Sequence, residues 1–564
     1  MKKYLLFIAC LFFCCSIKAA DGSGVKLDSS LTKQQTENLY VLAKVWGYLK
    51  YHHPDVAKGN TSFDGELFKI MLPVTNASSV EKRNELLLNW INSLGDETSY
   101  KKAVELPEKD VQQKPGLGWI NDKVLFSDAI ISKLNSIYTY RNQSSNAYIK
   151  LMPGVLNPNF DGEEKYAAMA AADDGLRMLG LFRYWNIIEY FFPSKYLIKE
   201  NWDDVLKEFI PKYAASKSMI SYKLTCLKII NRIHDTHASI YGDKDLAAYF
   251  GANFSATKAR MVQGKLIVHI TVDDSLAMND GVKIGDEILT INGKTIAEHR
   301  KELENVLCAS NPSVANRNFV TYLLRGNGES LPITYEHDGL IKSGSLKLYP
   351  QKTIGDASAK KYNANPSYKL LNDSIGYVTL ATAKLTDLKT IFKTFENTKG
   401  IVIDIRNYPA DFMTFEMAKY IKPAPSAFVK FTNGNINNPG LFTFKYDVSN
   451  GVKNKDYYKG KIVILIDERT QSSAEYQTMA LRTAPNAIVM GSQTAGADGN
   501  VSMIWFPGGF GSYISGIGVF YPDGKETQGI GIVPDIEVKP TRAGIKNGKD
   551  ELLERAMGYI QLQQ

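Results

Sequence analysis

A serine between a buried strand and a helix is placed for acyl transfer, and this sequence has one at Ser472. The apolar run 462–466 reads as a buried strand, 467–471 as a turn, and 474–482 as a helix. A second apolar run, 487–491, completes a strand–helix–strand unit. At such a junction a hydroxyl lies beside free backbone N–H groups and the positive end of the helix dipole. Those donors suit the charge that develops on a carbonyl oxygen under attack. The same residues also fit a capping box, with Ser472 at the N-cap and Glu475 three positions on. This segment alone leaves nucleophile and cap both open.

A serine alcohol needs a base near neutral pH, and Asp235-Thr236-His237 offers a histidine. It stands at the end of an internal duplication. Trp46, Pro54, Phe63-Asp64, Leu67 and Asp96 recur as Trp185, Pro193, Trp202-Asp203, Leu206 and Asp235, each pair 139 positions apart. Apolar residues recur at helical spacing in both copies, predicting two related helical units over 30–125 and 165–245. The first copy has Thr98 where the second has His237. A histidine in one copy only suggests an added task, the alternative being a packed or solvated ring.

Residues 246–350 predict a small β-rich domain. Lys265 to Val272 reads as a strand, and the glycine-punctuated 280–293 segment ends in an Asn292-Gly293 turn. From 355 to 545 strands and helices alternate as in an α/β core, closing on a short, polar C-terminal helix.

Bulk properties narrow the class. A length of 564 residues with 44% hydrophobic and 22% charged content describes a multidomain globular chain. A net charge of +8 with no dense basic block argues against nucleic acid. Residues 1–20 read as a secretory signal, with Lys2 and Lys3 before a short apolar stretch, and predict export to the periplasm or the outside. The segment Phe7-Ile8-Ala9-Cys10 is a weak lipobox and leaves lipid anchoring open. No later stretch is apolar enough to span a membrane. Cys226 and Cys308 read as free thiols, and no cysteine or histidine spacing implies a metal or cofactor.

In this order the pieces resemble the tail-specific, or S41, serine peptidases: a helical N-terminal part, a PDZ domain and a crotonase-like α/β protease core. The markers are Asp404-Ile405-Arg406, Thr470-Gln471-Ser472-Ser473-Ala474-Glu475, Gly491 through Thr494-Ala495-Gly496, and Gly531-Ile532-Val533-Pro534-Asp535. The resemblance implies that Ser472, not Ser473, is the nucleophile. One branch of the family uses a lysine base and an assisting glutamine. This chain has Ala497 and Val501 at those positions, so that mechanism does not carry over. The tricorn-like branch uses a histidine from the helical segment before the PDZ domain, which implies His237 as base. Its third member matches Gln528 by position, with Glu526 as the alternative. The oxyanion hole is expected from the N–H groups of Ser473 and Ala410, because Pro409 has none to donate. Phe250, Gly251 and Phe254 are expected near a loop that receives a peptide carboxylate. The implied activity is that of an exported serine endopeptidase acting on peptides or unfolded segments, the alternative being a PDZ-containing peptide-binding scaffold with an inactive core.

Overall fold

A computed structural model describes residues 22–104, 109–169, 173–363 and 365–562. The signal-like residues 1–20 lie outside them. No described helix is long and apolar enough to cross a membrane.

The first part is helical. Helices Lys33–His52, Phe63–Thr75 and Val80–Ser93 are followed by Asp174–Phe191, Trp202–Ala215 and Met219–Asn231. Three of their boundaries lie 139 residues apart: His52 and Phe191, Phe63 and Trp202, Val80 and Met219. Ser62 and Asn201 cap one matched pair of helices through side-chain oxygens, and Ser79 and Ser218 cap the next. Trp46 Nε1–H donates to Phe63 O at 3.3 Å, and Trp185 Nε1–H donates to Trp202 O at 2.7 Å. Every residue of the Asp174–Phe191 helix is buried, so this helix has no solvent face. It packs on Lys33–His52 and on the core strand Val501–Phe506.

Burying that helix all round encloses charge. Lys50 Nζ pairs with Glu163 Oε2 at 2.7 Å, and Arg183 Nη2 with Asp64 Oδ2 at 2.9 Å. Arg183 Nη1 also donates to Trp505 O at 3.3 Å. All four charged side chains are buried. One network therefore joins both sets of helices, the segment between them and the core.

Residues 253–350 form a sheet in the order Thr257–Val262, Lys265–Thr271, Glu287–Ile291, Ser330–His337, Leu340–Pro350, Asn253–Ser255, Arg325–Gly326. Asn292 and Gly293 both have positive φ, the geometry of the expected tight turn. The helix Pro312–Leu323 lies against the edge strand Thr257–Val262. Cys226 and Cys308 are buried free thiols.

The core holds a six-stranded sheet in the order Tyr368–Leu371, Ile375–Thr379, Gly400–Asp404, Lys461–Ile466, Ala487–Gly491, Ile536–Glu537. The first pair is antiparallel and the rest parallel. Residues along Lys461–Ile466 alternate between two apolar layers. Ile462, Ile464 and Ile466 join one; Val463 and Leu465 join the other. Parallel pairing brings the turns after Gly400–Asp404, Lys461–Ile466 and Ala487–Gly491 to one end of the sheet. The C-terminal helix Glu551–Gln561 is amphipathic rather than polar. Leu552, Ala556 and Ile560, at four-residue spacing, close the second layer.

The buried charge network generates a stability prediction. Glu163→Ala leaves Lys50 and Arg183 buried with half their compensation. It should cost about 3–5 kcal/mol, measured as a lowered first transition in urea unfolding.

Candidate active site

Ser472 ends the turn after Lys461–Ile466 and precedes the helix Ser473–Leu481. Its backbone has φ 56° and ψ −120°, a conformation an L-residue holds only against strain. Two contacts hold it there: Ser472 N–H donates to Ala497 O at 3.0 Å and to Glu475 Oε2 at 3.1 Å. The capping box is present, and its well-defined bond is the one from Ser472 N–H to the Glu475 carboxylate. The glutamate side of the expected box is thus in place, while the Ser472 hydroxyl stays half-buried and available for chemistry. Ser473 opens the helix, so its N–H has no carbonyl one turn back.

Glu475 does more than cap. Its buried carboxylate also accepts from Thr494 Oγ1 at 2.5 Å, Gly496 N at 2.7 Å and Ala497 N at 3.1 Å. Burial raises its pKa, and these donors work against that rise. Gly496 has φ +66°, and a Cβ there would sit 2.8 Å from Gly529 C, so the turn requires glycine.

His237 follows the helix Met219–Asn231. Asp235 Oδ1 accepts from His237 N at 3.0 Å, as Asp96 Oδ1 accepts from Thr98 N at 3.0 Å 139 positions earlier. Around the imidazole, Nδ1 meets Ser515 Oγ at 3.0 Å and lies 3.6 Å from Asp235 Oδ1. Ser515 Oγ is 3.2 Å from Asp235 Oδ1, and Ser515 N–H donates to Asp235 Oδ2 at 2.5 Å. The Ser515 hydroxyl has one hydrogen. Given to the carboxylate, it leaves Ser515 Oγ to accept from Nδ1–H, which assigns an unprotonated Nε2. Nε2 is buried with no partner among the described residues. Burial opposes ionisation of Asp235, yet the His237 ring and the surrounding N–H groups hold its carboxyl below the ordinary range.

The two groups meet through one turn. Thr236 N donates to Ser310 Oγ at 2.8 Å and Thr236 Oγ1 to Ala495 O at 3.1 Å, while Ser472 N rests on Ala497 O. The 494–497 turn therefore carries both Ser472 and the 235–237 turn. Among the described residues no hydrogen bond joins Ser472 to His237 directly.

Several expected positions differ. Ala410 N–H donates to Leu380 O at 2.8 Å, so it is not free for an oxyanion: the turn folds back onto the end of strand Ile375–Thr379. Neither Gln528 nor Glu526 hydrogen-bonds to His237, because Ser515 and Asp235 occupy the Nδ1 side. Gln528 is buried, and Glu526 accepts from Tyr196 OH. The 250–254 segment is closed as well. Gly251 O accepts from Arg325 Nε at 2.6 Å and Ala252 N donates to Asn327 Oδ1 at 3.0 Å. Phe254 lies in a strand paired on both sides, with Tyr349 and Arg325. Phe250 packs edge-on to Tyr249 and Tyr322. Thr257–Val262 and Arg325–Gly326 stand at the two ends of the strand order, each with one strand partner, and Thr257–Val262 is the longer.

Sequence reasoning missed Ser515 and Asp498. Asp498 follows Ala497 and is buried. Its Oδ1 lies 2.9 Å from Thr527 Oγ1, which also lies 2.7 Å from Val519 O. Thr527 has one hydrogen for two acceptors, so a proton on Asp498 completes the set. Burial, then the nearby Glu475 charge, pushes the Asp498 carboxyl well above its ordinary range.

Residues 374–538 match the family model of peptidase family S41. The chain carries a peptidase family S41 domain. Ser472, Glu475 and the 494–497 turn all lie within it. The carboxy-terminal processing protease CtpB of Bacillus subtilis is 24% identical over 332 residues, covering 55% of this chain and 61% of that protein. The carboxy-terminal-processing protease of Bartonella bacilliformis is 26% identical over 285 residues, covering 48% of this chain and 57% of that protein. The chain thus spans about three fifths of the length of these curated relatives. Among solved structures, mature CPAF complexed with lactacystin superposes with a TM-score of 0.54 at 12% identity, over 69% of this chain and 98% of that one. Mature CPAF alone gives 0.53 at 13% identity, over 68% and 96%. These likenesses extend the shared fold beyond the S41 domain.

Asp498 supplies a pH prediction. A carboxyl whose folded pKa is raised contributes stability fully present below its unfolded pKa, about 3.9, and lost as pH rises toward the folded value. Asp498→Asn keeps a hydrogen donor without the charge. Its thermal midpoint should exceed wild type at neutral pH, with the gap widening as pH rises from the acid side. A gap that shrinks with rising pH would show an ionised Asp498.

Proposed function

We propose that this chain is an exported serine endopeptidase that cuts peptides or unfolded segments through an acyl-enzyme on Ser472, with His237 as base. One observation carries the reading: the strained Ser472 and Thr236, the neighbour of His237, both bond to the 494–497 turn. Export rests on residues 1–20. Two copies of one helical unit would precede a PDZ-like domain, whose Thr257–Val262 edge would take the substrate as an added strand.

The chemical step requires Ser472 Oγ within hydrogen-bond reach of His237 Nε2 in the substrate complex, a contact that apo sites often lack. Nε2 takes the hydroxyl proton while Oγ bonds to the substrate carbonyl carbon. The imidazolium is stabilised by Asp235, through Ser515 and directly at 3.6 Å. Ser473 N–H faces the oxyanion. Nε2–H then protonates the departing amine, the C–N bond breaks, and water repeats the sequence on the acyl-enzyme. Asp235 fills the role expected of Gln528 or Glu526. The names of the curated relatives make segments near a C-terminus the first substrates to test.

The occupied Ala410 N–H favours a second reading, a peptide-binding scaffold with a silent core. A fluorophosphonate probe separates the two. Label on Ser472 that disappears in His237→Ala supports the peptidase; an unlabelled wild type supports the scaffold. Ser472→Ala should abolish turnover and cost no more than a lost cap, about 0.5–2 kcal/mol of unfolding free energy. Ser473→Ala should keep much of the rate, since only its backbone N–H is used.

A further inference from the structure

Residues from the 521–535 segment line, with Arg482, an open cavity of about 720 Å³. Tyr521, Pro522, Ile530, Val533 and Pro534 make its walls mainly apolar. Four of its charged groups are already paired: Arg482 with Asp535 at 2.8 Å, and Lys525 with Asp523 at 2.8 Å. Glu526 is different. Among the described residues no cation pairs with it. Tyr196 OH donates to its Oε2, and Oε1 is buried without a partner.

We propose that this cavity is a subsite for a basic side chain of the peptide, lysine or arginine, with its aliphatic stem on the apolar walls and its cationic head at Glu526. A donor head at Glu526 would satisfy its orphaned, buried carboxyl oxygen once the side chain turns that oxygen toward the cavity. An apolar side chain would leave it unpartnered, and an acidic one would meet Glu526 as the carboxylate that no cation offsets, since Arg482 and Lys525 are paired with Asp535 and Asp523. Long basic side chains suit a wall of this kind because their methylene stems are apolar. Burial lifts the Glu526 carboxyl to about 7 while the cavity is empty, so it has charge to gain from a bound cation.

The cavity is coupled to the proposed site. Gly529 N–H donates to Gly496 O at 2.8 Å, tying its wall to the 494–497 turn. Arg482 caps the far end of the helix that Ser473 opens. Nine helical residues rise about 14 Å, and an extended peptide covers about 3.3 Å per residue. The cavity's far wall at Arg482 thus stands about four extended residues from Ser472, and its wall at Gly531 reaches the 494–497 turn. This assignment rests on the peptidase reading, so its test uses binding rather than turnover.

In the Ser472→Ala protein, fluorescence anisotropy would compare alanine–serine peptides carrying one lysine, norleucine or glutamate scanned along the chain. At one position lysine should bind about ten-fold tighter than norleucine, with glutamate weakest. Glu526→Gln should erase the lysine preference. Persistence of that preference in a folded Glu526→Gln protein, or a preference for glutamate, overturns the proposal. Should Glu526→Gln fail to fold, Val533→Lys at the exposed wall must block lysine peptides, and unchanged binding overturns it equally. Fluorophosphonate labelling of wild type is scored separately. No label with lysine preference intact removes the peptidase and keeps the cavity's role; label without preference does the reverse.

Discussion

A buried carboxylate is costly unless donors surround it, and Glu475 is buried at the centre of this core. Its two oxygens gather Ser472 N, Thr494 Oγ1, Gly496 N and Ala497 N. These donors come from two turns at the same end of the parallel sheet. Satisfying one charge therefore fixes the spacing between them. The unusual backbone of Ser472 is a consequence, because its N–H is held by both Glu475 and Ala497 O. So is the glycine at 496, where the chain must pass close to Gly529. The third turn at that end, 407–411, escapes this control and folds onto Leu380 instead.

The helical part reaches the same turn from outside. Its fully buried helix Asp174–Phe191 carries Arg183, which ties Asp64 of the first helical set to Trp505 of the core. The following helices deliver the 235–237 turn to Ala495. The matched turn at 96–98 keeps the same aspartate-to-N–H bond but has a threonine and no core to meet. Asp235 serves two ends at once. It shapes the turn through His237 N and, through Ser515, fixes which ring nitrogen carries the proton. A residue chosen for local turn geometry is thereby available as the acid of the site.

Much of this was legible from the sequence because its causes are local. The strand–helix junction at Ser472, the alternation in 462–466 and the 139-residue spacing each express periodicity or capping within a few residues. The positive-φ pair Asn292-Gly293 was visible for the same reason. What stayed hidden depends on distant partners. Ser515 meets His237 across 278 positions, a contact no spacing encodes. The loss of Ala410 as a donor follows from the path of a turn back to Leu380, and proline at 409 signals only which N–H is missing. Family position pointed to Gln528 or Glu526 as the third member, while the side chains that reach the ring come from the histidine's own turn and from the Phe510–Ser515 strand.

The interposed hydroxyl changes what the acid can do. A carboxylate bonded straight to Nδ1–H offers its full charge to the imidazolium. Here the nearer Asp235 oxygen stands at 3.6 Å and the shorter route runs through Ser515. In a buried site the Coulomb attraction falls only as the inverse of distance, so most of that stabilisation survives the added separation. Orientation is the larger gain. Ser515 Oγ can accept from Nδ1–H while its own hydrogen goes to Asp235, so reversing the tautomer costs the Ser515–Asp235 bond. The arrangement trades a little charge stabilisation for a fixed proton on the side away from Nε2, the condition a base must meet before it can take a proton from serine.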